Sequence, residues 1–391
     1  MGGRSTGGSG GAGTGGSALG NGGATGGAGT LGTGGSQAAG AGGLVNASGG
    51  AGGKTSADGG NPGHGGTPSD GVGGNAMPDG SAGQGGSGGA KTGGRTAGAC
   101  QAGSTYPSPV LTGKPTLVFQ PTGSGSGTYE GPVWLKAQGL LLFSDMTFVT
   151  GDVDPSQVLK LTPPGTESTY LQDSGTNGMA VDGTGTLFAC SHKVQGIVKL
   201  DFNAASLTTV VDSYNGKKFN SPNDLTIRSD GTIYFTDPDF QLGNRTSQIG
   251  KKGIYRVSPA GQVALVDDTF AEPNGATLSP DESVLYVADY DANAVRTFTV
   301  ASDGSTSNRK DFVSVSTPDG FAVDCTGNLY VASGQPGIIQ VYSPSGSKLG
   351  SITVAPSLSN LAFGGSEGKT LYITAGKALY SLDMNVPGYY Y

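Results

Sequence analysis

One pattern recurs six times between residues 130 and 375: a carboxylate or amide residue, a short apolar strand, a turn, and a second apolar strand. The copies read EGPVWLKAQGLLLFSD from Glu130, NGMAVDGTGTLFACS from Asn177, NDLTIRSDGTIYFTD from Asn223, NGATLSPDESVLYVAD from Asn274, DGFAVDCTGNLYVAS from Asp319 and NLAFGGSEGKTLYITA from Asn360. Their starts lie 47, 46, 51, 45 and 41 residues apart. A period of this size, filled by short strands and turns, is the length of one propeller blade. The expected fold is therefore all-β, a six-bladed β-propeller.

Further strands follow each pair, as in Gly196 to Asp201 with Leu207 to Asp212, and in Gly253 to Ser258 with Val263 to Asp267. The last blade runs out of chain after Ala378 to Asp383. The stretch Thr116 to Gln120 has the length and apolar content to complete it, closing the ring with strands from both ends and removing open edges. The propeller is placed at 105–391.

Residues 1–104 are of another kind. The first hundred hold 42 of the chain's 75 Gly and no Phe, Trp or Tyr, too little apolar surface to offset the entropy of ordering. They read as a disordered, low-complexity Gly/Ser-rich tether. No strand leads into the glycines, and the one GKT, at 53–55, has Ser48 where a phosphate-binding loop needs its first glycine, which argues against such a loop. A spacer of this composition ahead of a compact domain points to an extracytoplasmic protein, periplasmic or secreted, with an export signal upstream of Met1; the chain as given shows no signal peptide and no run of about 20 apolar residues.

The chain carries 22 basic and 29 acidic residues, of which the first hundred contribute four and three. The remainder keeps a net charge near −8 with no Lys/Arg run, which argues against nucleic acid and against an anionic membrane surface. A monomer is expected. The three cysteines, Cys100, Cys190 and Cys325, show no paired zinc spacing and are read as buried or incidental.

In a propeller the first strand of every blade lines the central channel. Glu130, Asn177, Asn223, Asn274, Asp319 and Asn360 would then converge as two carboxylates and four amides, an oxygen-only donor set suited to calcium or another hard divalent cation. The competing reading is that Asn and Asp simply cap the turns entering these strands. A second ring, Asp145, Ser191 with His192, Asp237, Asp289, Ser333 and Ala375, would emerge at the same mouth, its aspartates either facing substrate or bonding loop backbone. Only His64 and His192 exist, so a three-histidine zinc centre is excluded.

EGPVW at 130–134, NSPNDL with YFTDP at 220–238, PNG with LSPDE and LYVAD at 273–289, and PDGFAVDCTGNLYVA at 318–332 resemble the senescence marker protein, gluconolactonase and luciferin-regenerating enzyme family. The resemblance spans 116 to 383. It implies a six-bladed propeller with one axial divalent cation, calcium first with zinc, manganese or magnesium as alternatives, and hydrolysis of a sugar lactone. It places the metal ligands on Glu130, Asn223, Asn274 and Asp319. The segment NGMAVDGTGTLFACSH further resembles the bacterial gluconolactonase branch, with Ser191 where that branch commonly has Glu; Asn177, His192 and Asn223 then become substrate binders. Asp319 is the expected general base, since a carboxylate beside the metal can take a proton from water. The alternatives are another metal-dependent esterase or phosphotriesterase on the same scaffold, and a non-catalytic tethered binding propeller.

Overall fold

A computed structural model describes residues 100, 104–109, 113–122 and 126–389; the tether reading for 1–99 lies outside the described residues. Six four-stranded antiparallel sheets are arranged as the blades of a propeller, and the described residues contain no helix. The innermost strands are Gly127–Leu135, Thr176–Val181, Leu225–Ile227, Pro273–Leu278, Pro318–Val323 and Leu358–Gly364. Five sheets use strands consecutive in sequence. The sixth is completed by Thr116–Phe119, which pairs antiparallel with Ala378–Asp383.

Strand alternation builds the core. Successive side chains point to opposite faces of a sheet, and here opposite faces meet different neighbouring blades. Leu142 packs towards the second blade with Met179 and Ala189, while adjacent Leu141 packs towards the sixth with Tyr372 and Leu379. Phe235 and Tyr234 divide in the same way between the second and fourth blades. Six apolar clusters result, one at each blade interface. The closing interface includes Trp134 stacked on Tyr372, ring centroids 5.7 Å apart.

The axis is too narrow for side chains on every residue. In four blades a glycine follows the axial residue, and a methyl group added to Gly178 or Gly275 would collide with the innermost strand of the next blade. Buried hydroxyls also join neighbours: Ser144 Oγ donates to Asn177 O (2.7 Å), Thr236 Oγ1 to Asn274 O (2.7 Å) and Ser359 Oγ to Tyr129 O (2.6 Å). Each bond fixes the backbone of a residue at or next to the axis.

One sequence expectation is corrected. Cys100 and Cys325 are neither buried singly nor incidental, because they form a disulfide across 225 residues, with Cα atoms 5.3 Å apart. It ties the start of the described chain to the turn between the first two strands of the fifth blade, where Asp324 also bridges to Gly388. Cys190 stays free and buried.

Candidate active site

In five of the six blades the innermost strand shifts register against its partner at or beside the axial residue: between Glu130 and Val133, Thr176 and Met179, Pro273 and Ala276, Pro318 and Phe321, and Leu358 and Asn360. Such bulges re-aim a side chain that regular pleating would send into a blade face. Glu130, Asn177, Asn274 and Asp319 thereby line one cavity of about 300 Å³, and Asn223, which stands ahead of its strand Leu225–Ile227, lines it with them. Asn360 stands behind them, its Nδ2 donating to Glu130 Oε2 at 3.3 Å.

The floor of this cavity is acidic. Glu130 is buried, and burial together with the charge of Asp224 pushes its carboxyl well above the usual range. Asp319 is partly open to the cavity, and its carboxyl is raised in the same direction by desolvation, then by Glu130 and Asp224, against a side-chain hydrogen bond with Asn274. Asp224 lies just outside the lining residues, buried, with its carboxyl raised to about 7 by desolvation. Its oxygens accept from Leu225 N (2.9 Å) and from Ala276 N of the next blade (3.1 Å). Among the described residues no Lys, Arg or His lines the cavity. Three mutually repelling carboxylates in a low-dielectric pocket require either protonation or a cation.

The residues present fit a hard cation through mixed donors. Among the described residues no three His, Cys, Asp or Glu side chains alone are arranged to hold a metal ion. An ion here would rest on amide oxygens of Asn223 and Asn274 as well as on Glu130 and Asp319, the kind of set calcium accepts. Asn177 adds a second feature: it is 1% exposed, and neither its Oδ1 nor its Nδ2 has a hydrogen-bond partner. An orphaned buried amide lining a cavity is poised for a ligand.

His192 stands apart from these residues. It is fully buried and absent from the cavity lining; its Nε2 lies 2.7 Å from Asp154 O, and Nδ1 has no partner. The second ring is occupied with loop backbone. Asp237 accepts from Asn220 N (2.9 Å), Asp289 from Glu272 N (2.9 Å) and Ala271 N (3.1 Å), and Ser333 Oγ donates to Ser316 O (2.5 Å). Asp289 pairs with Arg296 and Asp145 with Lys377. None of the six positions lines the cavity.

Sequence reasoning missed Asp224, although a signal existed: it fills the place after the axial residue that is glycine in four other blades. It also missed Gln241, which lines the cavity from the loop following Ile233–Asp237.

Comparison with known proteins follows the same limits as the geometry. A family model described as SMP-30/Gluconolactonase/LRE-like region matches residues 128–377. The gluconolactonase of Zymomonas mobilis is 34% identical over 279 residues, covering 63% of this chain and 75% of that protein. A solved gluconolactonase from Xanthomonas campestris superposes with a TM-score of 0.60 at 30% identity, covering 72% of this chain and 99% of its own. Regucalcin from Agrobacterium tumefaciens, described as a calcium-binding protein, gives a TM-score of 0.59 at 17% identity over 72% and 96% of the two chains, a likeness of fold. With the repeat, the six sheets and a match running from the first blade into the last, the chain belongs to the SMP-30/gluconolactonase/LRE-like family.

Proposed function

We propose that this protein is a divalent-cation-dependent hydrolase that opens a sugar lactone, with calcium as the preferred ion. The observation that carries this reading is the meeting of Glu130, Asn223, Asn274 and Asp319 at one cavity, backed by Asp224 and with no cationic side chain in the lining. Likeness to proteins named gluconolactonase supports the substrate class.

Glu130, Asn223, Asn274 and Asp319 would hold the cation. Once bound, it supplies positive charge to stabilise the oxyanion that develops as a lactone carbonyl becomes tetrahedral. The chain's own groups do the rest. Asp319, a carboxylate open to the cavity, takes the proton of the attacking water. Glu130, bonded to Asn360 and to Gly131 N (3.1 Å), is held still. Asn177 offers a donor and an acceptor to the substrate's hydroxyls. The absence of lysine and arginine among the described lining residues favours an uncharged lactone over a phosphorylated one.

A pH-indicator assay on δ-gluconolactone, with chelator-treated protein and one metal restored at a time, tests the activity; no acid release with any of Ca²⁺, Mn²⁺, Zn²⁺ or Mg²⁺ overturns it. Asp319→Asn should abolish turnover while calorimetry still detects cation binding. Turnover retained by that variant removes Asp319 from the role of base.

A further inference from the structure

Besides its carboxylates and amides, the cavity's lining includes Met146, Phe148, Phe240, Tyr290 and Leu358. Phe240 is 40% exposed, a large aromatic left open at the mouth, and its ring meets Tyr290 edge to face with centroids 5.8 Å apart. Its neighbour Gln241 is 8% exposed, and the Gln241 Oε1 atom is buried without a hydrogen-bond partner.

The loop that carries this pair is braced. Gln241 N donates to Ser221 Oγ (3.3 Å), Ser221 Oγ donates to Pro238 O (2.8 Å), and Arg245 Nη2 donates to Gln241 O (2.9 Å). Leu242 N donates to Asp239 O (3.2 Å), and Lys252 pairs with both Asp239 (3.1 Å) and Glu272. With its backbone held, an unpartnered amide oxygen and an open aromatic ring keep fixed places in the same cavity wall. Fixed groups of this kind lose little freedom on binding a ligand.

We infer that Phe240 and Gln241 form the specificity element of this site, reading the hydroxylated ring of the lactone: Gln241 Oε1 accepts a hydrogen bond from a ring hydroxyl while Phe240 covers the ring's C–H face. This rests on the lactonase reading and assigns to these two residues its preference for polyhydroxylated lactones over unsubstituted ones. A sugar ring presents apolar C–H edges and hydroxyl donors side by side, and an aromatic face beside a buried amide acceptor matches both. A lactone without hydroxyls would leave Gln241 Oε1 unsatisfied and gain nothing from it.

The test is binding rather than turnover. Gluconolactam, which keeps the sugar ring but resists hydrolysis, and 2-piperidone, which lacks every hydroxyl, are titrated calorimetrically into the full chain in calcium buffer and into Gln241→Leu and Phe240→Leu. Each variant should weaken gluconolactam about 10-fold, the worth of one neutral hydrogen bond or one ring contact, and change 2-piperidone less than about twofold. Unchanged melting midpoints establish that both variants fold. Equal loss for the two lactams, no loss for either, or no binding of gluconolactam to the unaltered chain overturns the inference. Selective loss in a protein that turns over no lactone leaves the inference standing and sinks the lactonase reading instead.

Discussion

The closeness of the blades at the axis can be tested at Gly275. The residue has an ordinary negative-φ or extended backbone that alanine also adopts, so chain entropy alone predicts that Gly275→Ala stabilises the fold by about 0.4–1 kcal/mol. The surroundings predict the reverse. The new methyl carbon would overlap the carbonyl oxygen of Asp319 and lie 2.9 Å from Gly320 Cα and 3.0 Å from Asp319 C, all of it backbone of the fifth blade. Carbon atoms rest about 3.5–4.0 Å apart, so the fourth and fifth blades must separate by roughly 1 Å at this level. Overpacking of that order costs about 1–3 kcal/mol, a fall of about 2–5 °C in melting midpoint for a domain of this size. Asn274 and Asp319 sit on the two strands being forced apart, and a displacement of about 1 Å is several times the ±0.2 Å a cation site tolerates. Thermal unfolding with and without calcium measures both effects. Gly165→Ala is the control, since nothing lies within 4 Å of its added carbon and its φ is not positive, and it should show the entropic gain of about 0.4–1 kcal/mol. A Gly275→Ala variant as stable as the original chain, or one that still gains the full calcium shift, would refute the reasoning.

Two further outcomes follow from buried charge. In the cation-free protein the carboxyls of Glu130, Asp224 and Asp319 are raised in the folded state, so the stability tied to their protonation is present at low pH and is lost as pH rises through the folded values, Asp224's being about 7. A calcium concentration about 100 times the dissociation constant at pH 8 adds about 2.7 kcal/mol, roughly 5 °C, and the same concentration should add less at pH 5, where protonated carboxyls weaken binding; equal shifts at both would dissociate the cation from these carboxylates. His192 carries the opposite sign: desolvation lowers its folded pKa to about 4, so its contribution is complete above about 6.5 and is lost as pH falls towards 4, at most about 1.4 kcal/mol per unit. Between pH 6.5 and 4, His192→Gln should lose about 3 kcal/mol less than the original chain in chemical denaturation, and parallel curves would show that His192 is not buried neutral.

The blades were readable because their evidence is local. Alternation of apolar residues, turns such as Asp230-Gly231, and a spacing of 41 to 51 residues each constrain a few adjacent positions, and Ala378–Asp383 forms with the very limits its sequence suggests. The axial ring was readable for the same reason, since equivalent positions in equivalent strands must arrive at one place. The Cys100–Cys325 pairing was not, because cysteine spacing carries no information about connectivity across 225 residues. His192 was drawn to the site by its rarity and by its position at a strand end, yet neither property says which way a ring turns once the strand has ended.

Asp224 shows why the axis resists reading by periodicity. Strict alternation would send it away from Asn223, but the regular strand begins only at Leu225, and Asn223-Asp224 enters it on irregular backbone. Freed from the pleat, two consecutive residues serve the centre: Asn223 lines the cavity, and Asp224, at the position that four other blades keep for glycine, accepts from Ala276 N of the next blade. Sixfold repetition thus supplies the convergence, while departures from it supply the chemistry. A symmetric ring of six amides would hold a cation weakly and leave no base. Carboxylates in the first and fifth blades, with a third set behind the ring in the third blade, alternate around the axis with the amides of the second and fourth; on the proposed function they hold the cation and supply the base, while Asn177 and Gln241 in the same lining meet the substrate.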